Sequence, residues 1–425
     1  MTPPHQGRGL ISWCFYDWAN SAYPTVIFTF VFATYFAKGV APDEVTGQTM
    51  WGYMAGASAF AVALAGPLLG AIADRTGRRK PWIGLFTALC VFSTPFLWFA
   101  EPDGANGILW ILVIVGLSNF AFETAIVFYN AMLPALAPPS HMGRWSGWAW
   151  GLGYFGGLNC LALCLFLFVQ GDPPPFDLDK SAAEHVRIVA PIAALWTAAF
   201  SLPLFFWTPD SPSTGVPMGR AARDGLRTLV NTFRQARRYG RSLRFLIARM
   251  IYIDGINTLF AFGGIYAAGT FAMDFDEVII FGIGINATAG LGALAFAWID
   301  DWLGPRKTVL ISLVCIIILG TLAVLVTEKL TFWIIGLGLG AFFGPVQAAS
   351  RTFMGRLAPK EMRGEMFGLY ALSGKATAFL GPLLLAIATQ ISGSQRIGMA
   401  SILVFLVVGL ILLWPISDRE SPPAQ

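Results

Sequence analysis

From Leu10 to Ala37 the chain carries a single charged side chain, Asp17, and comparable apolar runs recur to the far end of the sequence. A run of about 20 apolar residues matches the ~30 Å hydrocarbon core of a bilayer when helical. In that core a chain must satisfy its own backbone hydrogen bonds, which leaves helices or closed barrels. Unbroken runs, with none of the period-two alternation of barrel strands, select helices. Composition agrees: 12% of the 425 residues are charged and 56% hydrophobic, whereas soluble domains carry about 25% charged residues. The expectation is an all-α, multi-pass membrane protein.

Twelve spans are expected, at 11–37, 50–73, 81–100, 107–134, 146–170, 187–207, 245–271, 277–299, 307–327, 331–355, 366–390 and 397–416. Lys and Arg collect in "DRTGRRK", the 208–244 segment, "GPRK" and "GRLAPKEMRG". The alternate loops "AEPDGANG" and "GDPPPFDLDKSAAEH" are poor in them. By the positive-inside rule both termini are cytoplasmic, and the start "MTPPHQGRGL" reads as leading into an uncleaved first span. The 208–244 segment opens with "TPDSPSTGVP", read as a flexible break. It continues with Leu226, Leu229, Val230 and Phe233 on one helical face among Arg223, Arg227, Arg234, Arg237 and Arg238. That pattern fits an amphipathic helix on the inner leaflet, with a solvated linker as the alternative. The organisation expected is a six-span half (1–207), this linker (208–244) and a second six-span half (245–425).

The halves repeat one another. "YDWANS" at Tyr16 has the spacing of "YIDGINT" at Tyr252. "ADRTGRRK", ending at Lys80, matches "DDWLGPRK", ending at Lys307. "LAPPSHMGRWSGW" from Leu136 matches "LAPKEMRGEMFGL" from Leu357. All three pairs keep their order at offsets of about 220–240 residues. Parallel repeats around a midplane site are an architecture of secondary transporters.

"GAIADRTGRRK" (70–80) resembles the loop signature of the major facilitator superfamily. "YDWANSAY" and "ARMIYIDGINTLFAFGGIYA" resemble a narrower group, the fungal autophagy-type vacuolar amino-acid effluxers and their bacterial relatives. The resemblance implies the major facilitator fold and, from the fungal members, amino-acid export, with the substrate of the bacterial members open. It also implies that spans 1, 4, 7 and 10 line a central cavity. The proton-relay Arg that many drug/proton antiporters carry in span 4 is absent here; Glu123 and Asn130 stand there instead.

Ionisable side chains inside spans cost at least ~2.5–3.5 kcal/mol and mark functional positions. Here they are Asp17, Glu123, Arg249, Asp254, Arg351 and Lys375. Asp17, Asn20 and Ser21 fall at i, i+3 and i+4, on one helix face, and Asp254, Asn257 and Thr258 repeat the trio. The two trios, with Glu123, Asn130, Arg351 and Lys375, form the expected substrate or ion site. Structural capping competes for Asp17, and plain ion pairing competes for Arg351 and Lys375. Glu123, alone among apolar residues, is the expected proton carrier. Asp74, Gly77 and Arg79, with their copies Asp301, Gly304 and Arg306, are expected to gate, against a role as topological anchors. Gly66-Pro67 and Gly381-Pro382 are expected to bend their helices.

No catalytic residues, cofactor or metal are expected: His5, His141 and His185 are scattered, and the five cysteines lie in apolar stretches without a CxxC. "GLYALSGKAT" departs from a phosphate loop in glycine spacing and has Ala376 where Ser or Thr belongs. The expected partners are a small-molecule substrate, H⁺ and membrane lipid, with no nucleic acid and a monomeric chain. The expected function is secondary active transport of a small polar organic solute, with amino acids as candidates. The alternatives are a cation-coupled sugar symporter, disfavoured because 52–73 holds no acidic residue, and a non-transporting receptor or assembly factor, which would not need paired intramembrane charges.

Overall fold

The computed structural model describes residues 4–104, 107–171, 173, 175–217, 219–225, 227, 240–273 and 275–417. These residues are helical with short connections, and no strand occurs among them. The amphipathic stripe expected at 226–238 lies outside the described residues, apart from Arg227.

Twelve spans occur among the described residues. Helix α1 begins as Pro4–Asn20 and continues through π-helical and α-helical turns to Val40. α2 is Glu44–Thr76; α3 is Lys80–Ser93, extended by a 3₁₀ segment to Phe99; α4 is Ile108–Leu136. α5 is Met142–Ala162, with a π-helical tail to Val169, and α6 is Val189–Trp207. α7 is Gly240–Phe271, α8 Phe275–Leu303, α9 Pro305–Leu325 and α10 Lys329–Leu357. The eleventh span is two pieces, α11a (Arg363–Ser373) and α11b (Leu380–Ser392), before α12 (Gln395–Leu413). Among the described residues, ten helices are long and apolar enough to cross a membrane, and α11b is a shorter apolar one. Exposed Phe, Leu and Ile, such as Phe92, Leu109, Phe166 and Leu195, give the helices an apolar exterior suited to lipid.

The continuous span expected at 366–390 is therefore a correction: 374–379 is not helical. Pro382 has no N–H to offer the Ala378 carbonyl four residues earlier, and Gly374 is cheap to unwind. α2, in contrast, runs through Pro67 as one helix. In α1, Pro24 removes the partner of the Asn20 carbonyl, and the α-helix gives way there to π-helical turns beginning at Tyr23. Such turns concentrate at functional sites.

The contacts divide the chain into two compact units. The first comprises Met1–Gly66, Thr76–Met132 and Leu152–Val216. Its core stacks Trp13 on Tyr129 at 4.5 Å, and the buried Tyr16 hydroxyl meets Thr87 Oγ1 at 2.6 Å. The second comprises Pro67–Arg75, Leu133–Gly151 and Pro217–Gln425. A tight seam joins α8 to α10, where a Cβ on Gly292 would lie 1.9 Å from the Ala341 carbonyl oxygen. Small residues that let helix backbones touch are the usual device where lipid removes the hydrophobic drive between helices.

Candidate functional site

Each helix start leaves amide protons without intrahelical acceptors, and the repeated loop motifs supply carboxylates to them. In the second unit, Asp74, near the end of α2, accepts the Gly364 N–H at 2.9 Å on Oδ1 and the Glu365 N–H at 3.0 Å on Oδ2. Both amides belong to the first turn of α11a. The copy does the same to the other repeat. Asp301, near the end of α8, accepts the Arg144 N–H at 3.0 Å in the first turn of α5, and Arg144 Nε approaches its Oδ2 at 3.3 Å. Arg144 and Glu365 are equivalent positions in the sequence repeat. The motif of each repeat thus caps a helix of the other, with the helix dipole favouring the negative charge. Glycine makes the approach possible: a Cβ on Gly70 would lie 2.2 Å from the Gly364 carbonyl oxygen, and one on Gly143 would enter the Asp300 side chain.

The basic members of the motifs cap helix ends of the opposite polarity. Lys80 Nζ donates to the Thr208 carbonyl at 2.6 Å, just past α6, and Arg306 donates to the Trp414 carbonyl, just past α12. Gly77 and Gly304 have φ of +85° and +89°, where a side chain is strained.

Arg79 is buried and donates to Ser211 Oγ at 3.1 Å, while Asp210 accepts the Arg79 and Lys80 N–H groups at 2.9 and 3.1 Å. The Thr214 N–H donates to the Thr76 carbonyl at 3.1 Å. "TPDSPSTGVP", expected to be flexible, is therefore fastened at its start. The correction has a physical reason: Asp210 supplies the acceptor that the first turn of α3 lacks. Asp210→Ala is expected to cost about 1–2 kcal/mol, the usual loss for an N-cap. Thermal unfolding of the detergent-solubilised protein measures it, and an unchanged midpoint would show that water caps α3 equally well.

The polar trios are resolved one in each unit. In the first, Asn20 is buried, Asp17 half-buried, and Asn20 Nδ2 lies 3.4 Å from Asp17 Oδ1. The face packs on α5 glycines: a Cβ on Gly153 would meet Ser21 Oγ at 2.9 Å, and one on Gly156 the Trp18 carbonyl at 2.3 Å. Glu123 is half-buried, and Asn130 is buried on the same helix. In the second unit Asp254 and Thr258 are 2% exposed, whereas Asn257 is exposed and stands apart from them. Asp254 Oδ2 accepts the Gly381 N–H at 3.2 Å; its Oδ1 is buried without a hydrogen bond. A buried polar atom without a partner costs about 1–3 kcal/mol, more when charged.

Of the remaining charges, Arg351 has defined partners. Arg351, 1% exposed, donates to Ser146 through Nε to Oγ at 2.9 Å and through Nη2 to the carbonyl at 2.6 Å. It also lies over the Trp150 ring. The structure thus places Arg351 as a clamp between α10 and α5 within the second unit. Lys375, half-buried, sits in the interrupted segment of the eleventh span.

Arg249 was legible as an intramembrane charge but not as a member of this site. Its Nη1 donates to the Tyr370 carbonyl and to Ser373 Oγ, each at 2.7 Å, with the guanidinium stacked 3.5 Å from the Tyr370 ring centroid. α7 therefore presents a cation to the C-terminal end of α11a and, five residues on, a carboxylate to the N-terminal start of α11b. Both ends of the interruption receive the charge that the helix dipole favours. The only sequence signals for it were Gly374 and Gly381-Pro382, since no spacing rule links α7 to α11.

Comparison with known proteins agrees with this architecture. A family profile described as "Vacuole effluxer Atg22 like" matches residues 6–424. The chain is 28% identical over 423 residues to the uncharacterized MFS-type transporter YxiO of Bacillus subtilis, covering 96% of this chain and 95% of that one. It is 23% identical to the autophagy-related protein 22-1 of Aspergillus niger, over 63% of this chain and 45% of that one. The chain spans about half the length of such fungal relatives. Among solved structures, the proton:xylose symporter XylE aligns with a TM-score of 0.75 at 14% identity, covering 97% of this chain and 95% of that one. A bacterial homologue of the iron transporter ferroportin aligns at 0.70 and 12%, covering 98% of this chain and 100% of that one. At such identities the likeness concerns the fold, which is that of the major facilitator superfamily. With the profile matching almost the whole chain, this multi-pass membrane protein belongs to the Atg22-like vacuole effluxer family of major facilitator transporters.

Proposed function

We propose that the protein moves a small polar organic solute, with amino acids first among candidates, by alternating access driven by H⁺. The observation that carries this reading is the reciprocal pair of carboxylate caps, Asp74 on α11a and Asp301 on α5. Each ties a loop of one sequence repeat to a helix start of the other. Ties made of two or three hydrogen bonds are strong enough to hold one state and weak enough to release it. In this reading they are gate latches, Asp17, Asn20, Ser21, Asn130, Asn257 and Thr258 supply polar contacts to the solute, and Lys375 meets an anionic group such as a carboxylate. The description of the family profile, a vacuole effluxer, supports export; both termini lie in the cytoplasm of a bacterial cell, and the chain works as a monomer among lipids.

Glu123 is the carboxylate that exchanges protons with the transport pathway: it is half-buried and holds the only charge in 107–133. Glu123→Gln, which mimics its protonated form, is expected to retain solute exchange and lose accumulation driven by a pH gradient. Purified protein in liposomes, offered amino acids, sugars and organic acids under imposed pH or sodium gradients, tests both statements. Absence of flux for every solute would defeat the transport reading, and wild-type accumulation in Glu123→Gln would remove Glu123 from coupling.

A further inference from the structure

We propose that Asp254, at the interruption of the eleventh span, binds a monovalent cation, and that its loading changes the hold of α7 on α11b. The inference deepens the transport reading above, on which its role in coupling rests; the binding site itself stands on geometry.

A carboxylate 2% exposed has been removed from water. Its Oδ2 has one donor, the Gly381 amide in the first turn of α11b, and its Oδ1 has none. No Lys or Arg lies within 4 Å of it among the described residues. The charged groups on the helices packed around it are held elsewhere. Arg249 of α7 binds the end of α11a, Arg351 of α10 binds Ser146, Arg396 of α12 binds the carbonyls of Val324 and Val326, and Glu277 of α8 pairs with Lys329. Burying an ionised carboxylate without a cation is unfavourable enough that such groups bind a proton or a metal ion.

One oxygen suited to a small hard cation, the Thr258 hydroxyl, stands close to the free Oδ1, with its proton given to the Asp254 carbonyl at 2.8 Å. The Thr258 Oγ1 and Asp254 Oδ1 lie 2.1 and 3.1 Å from one common point, the position of a Cβ on Gly381. Three residues before Gly381, the Ala378 carbonyl has no helical donor, because Pro382 carries no N–H. Carboxylate, hydroxyl and unwound backbone carbonyls are the ligands that interrupted membrane helices offer to H⁺ and Na⁺. The second repeat alone has this arrangement: Asp17 is half-buried beside Asn20, and α5 runs unbroken past Gly153, Gly156 and Gly157.

Loading would neutralise the charge that caps α11b. The Gly381 amide would lose its charge-assisted acceptor while Arg249 kept hold of α11a, so the second half of the span would move against the first. H⁺ and Na⁺ share this chemistry, and the experiment separates them.

Hydrogen–deuterium exchange of the full-length protein in lipid nanodiscs, followed in peptides spanning 374–381 and corrected for the intrinsic rate at each pH, reads the effect without requiring a known solute. Protection is expected to change about tenfold or more when the cation loads: with pH at constant choline if the cation is H⁺, with Na⁺ replacing choline at constant pH if it is Na⁺. Asp254→Asn is expected to remove the response. Thr258→Val, which keeps the carboxylate, is expected to shift its midpoint several-fold, and it serves where Asp254→Asn does not fold. Exchange insensitive to both pH and Na⁺, or an undiminished response in Asp254→Asn, would overturn the site. A full response with no solute flux in liposomes would leave the site standing and remove the transport reading instead.

Discussion

Asp74→Ala combined with Asp301→Ala is expected to shift the resting conformational equilibrium by on the order of 100-fold while leaving the protein folded and inserted. Each carboxylate caps first-turn amides of a helix from the other sequence repeat. Removing such a cap costs about 1–2 kcal/mol. The two caps sit on different helices, so their losses add, and each 1.4 kcal/mol is a factor of ten. Either single variant should give about tenfold. The measurement is labelling of single cysteines placed near each membrane face, in a chain whose five native cysteines have been replaced. Unchanged accessibility in the double variant would mean that the motifs serve only as topological anchors. Asp74→Asn is the informative companion, since an amide oxygen still accepts one hydrogen bond but brings no charge to the helix start.

Gly292→Leu is expected to have the largest effect on stability, at least about 4 kcal/mol, in the range reserved for severe core disruption. Its Cβ would lie 1.9 Å from the Ala341 carbonyl oxygen and 3.0 Å from the Ala341 Cα, so backbone would have to yield rather than a flexible side chain. Gly340 and Gly344 belong to the same seam: a Cβ on the first would lie 2.1 Å from Thr288 Oγ1, and one on the second 2.1 Å from the Ala289 carbonyl oxygen. Forcing α8 from α10 would open all three contacts together. The control is Gly282→Leu, earlier on α8, where a Cβ meets nothing within 4 Å. Size-exclusion profiles after detergent extraction should show loss of the monodisperse peak for Gly292→Leu and its retention for Gly282→Leu. Equal behaviour of the two would show that the seam adapts by helix displacement.

Several parts of this protein were settled by local sequence. The recurrent apolar runs fixed the number of spans, because a bilayer demands a set length of helix wherever it is crossed. The duplicated motifs disclosed the repeat, and Asp74 and Asp301 were picked out before any geometry, because charge at a helix junction is visible in one dimension. Gly381-Pro382 signalled irregular helix, since proline removes a backbone donor. What these groups bind was not visible. Asp74 meets an amide 290 residues away, Asp301 one 157 residues away, and Asp210 one 131 residues away. No periodicity reports such partners.

Arg351 and Asp254 show the same division. Each stood in the sequence as an ionisable residue in an apolar helix, Asp254 with a copy in the other repeat. The tertiary structure gives Arg351 full employment on Ser146, while it seals Asp254 against the interrupted eleventh span with one carboxylate oxygen unused. Pro67 and Pro382 also read alike, yet only the second accompanies a broken helix. There Arg249 and Asp254 approach from α7 to take the ends that the break exposes. The sequence determined where charge and helix-breaking residues stand along each span. Only packing decided which of them meet, because the free energy of a buried charge depends on the dipoles and donors brought to it from elsewhere in the chain.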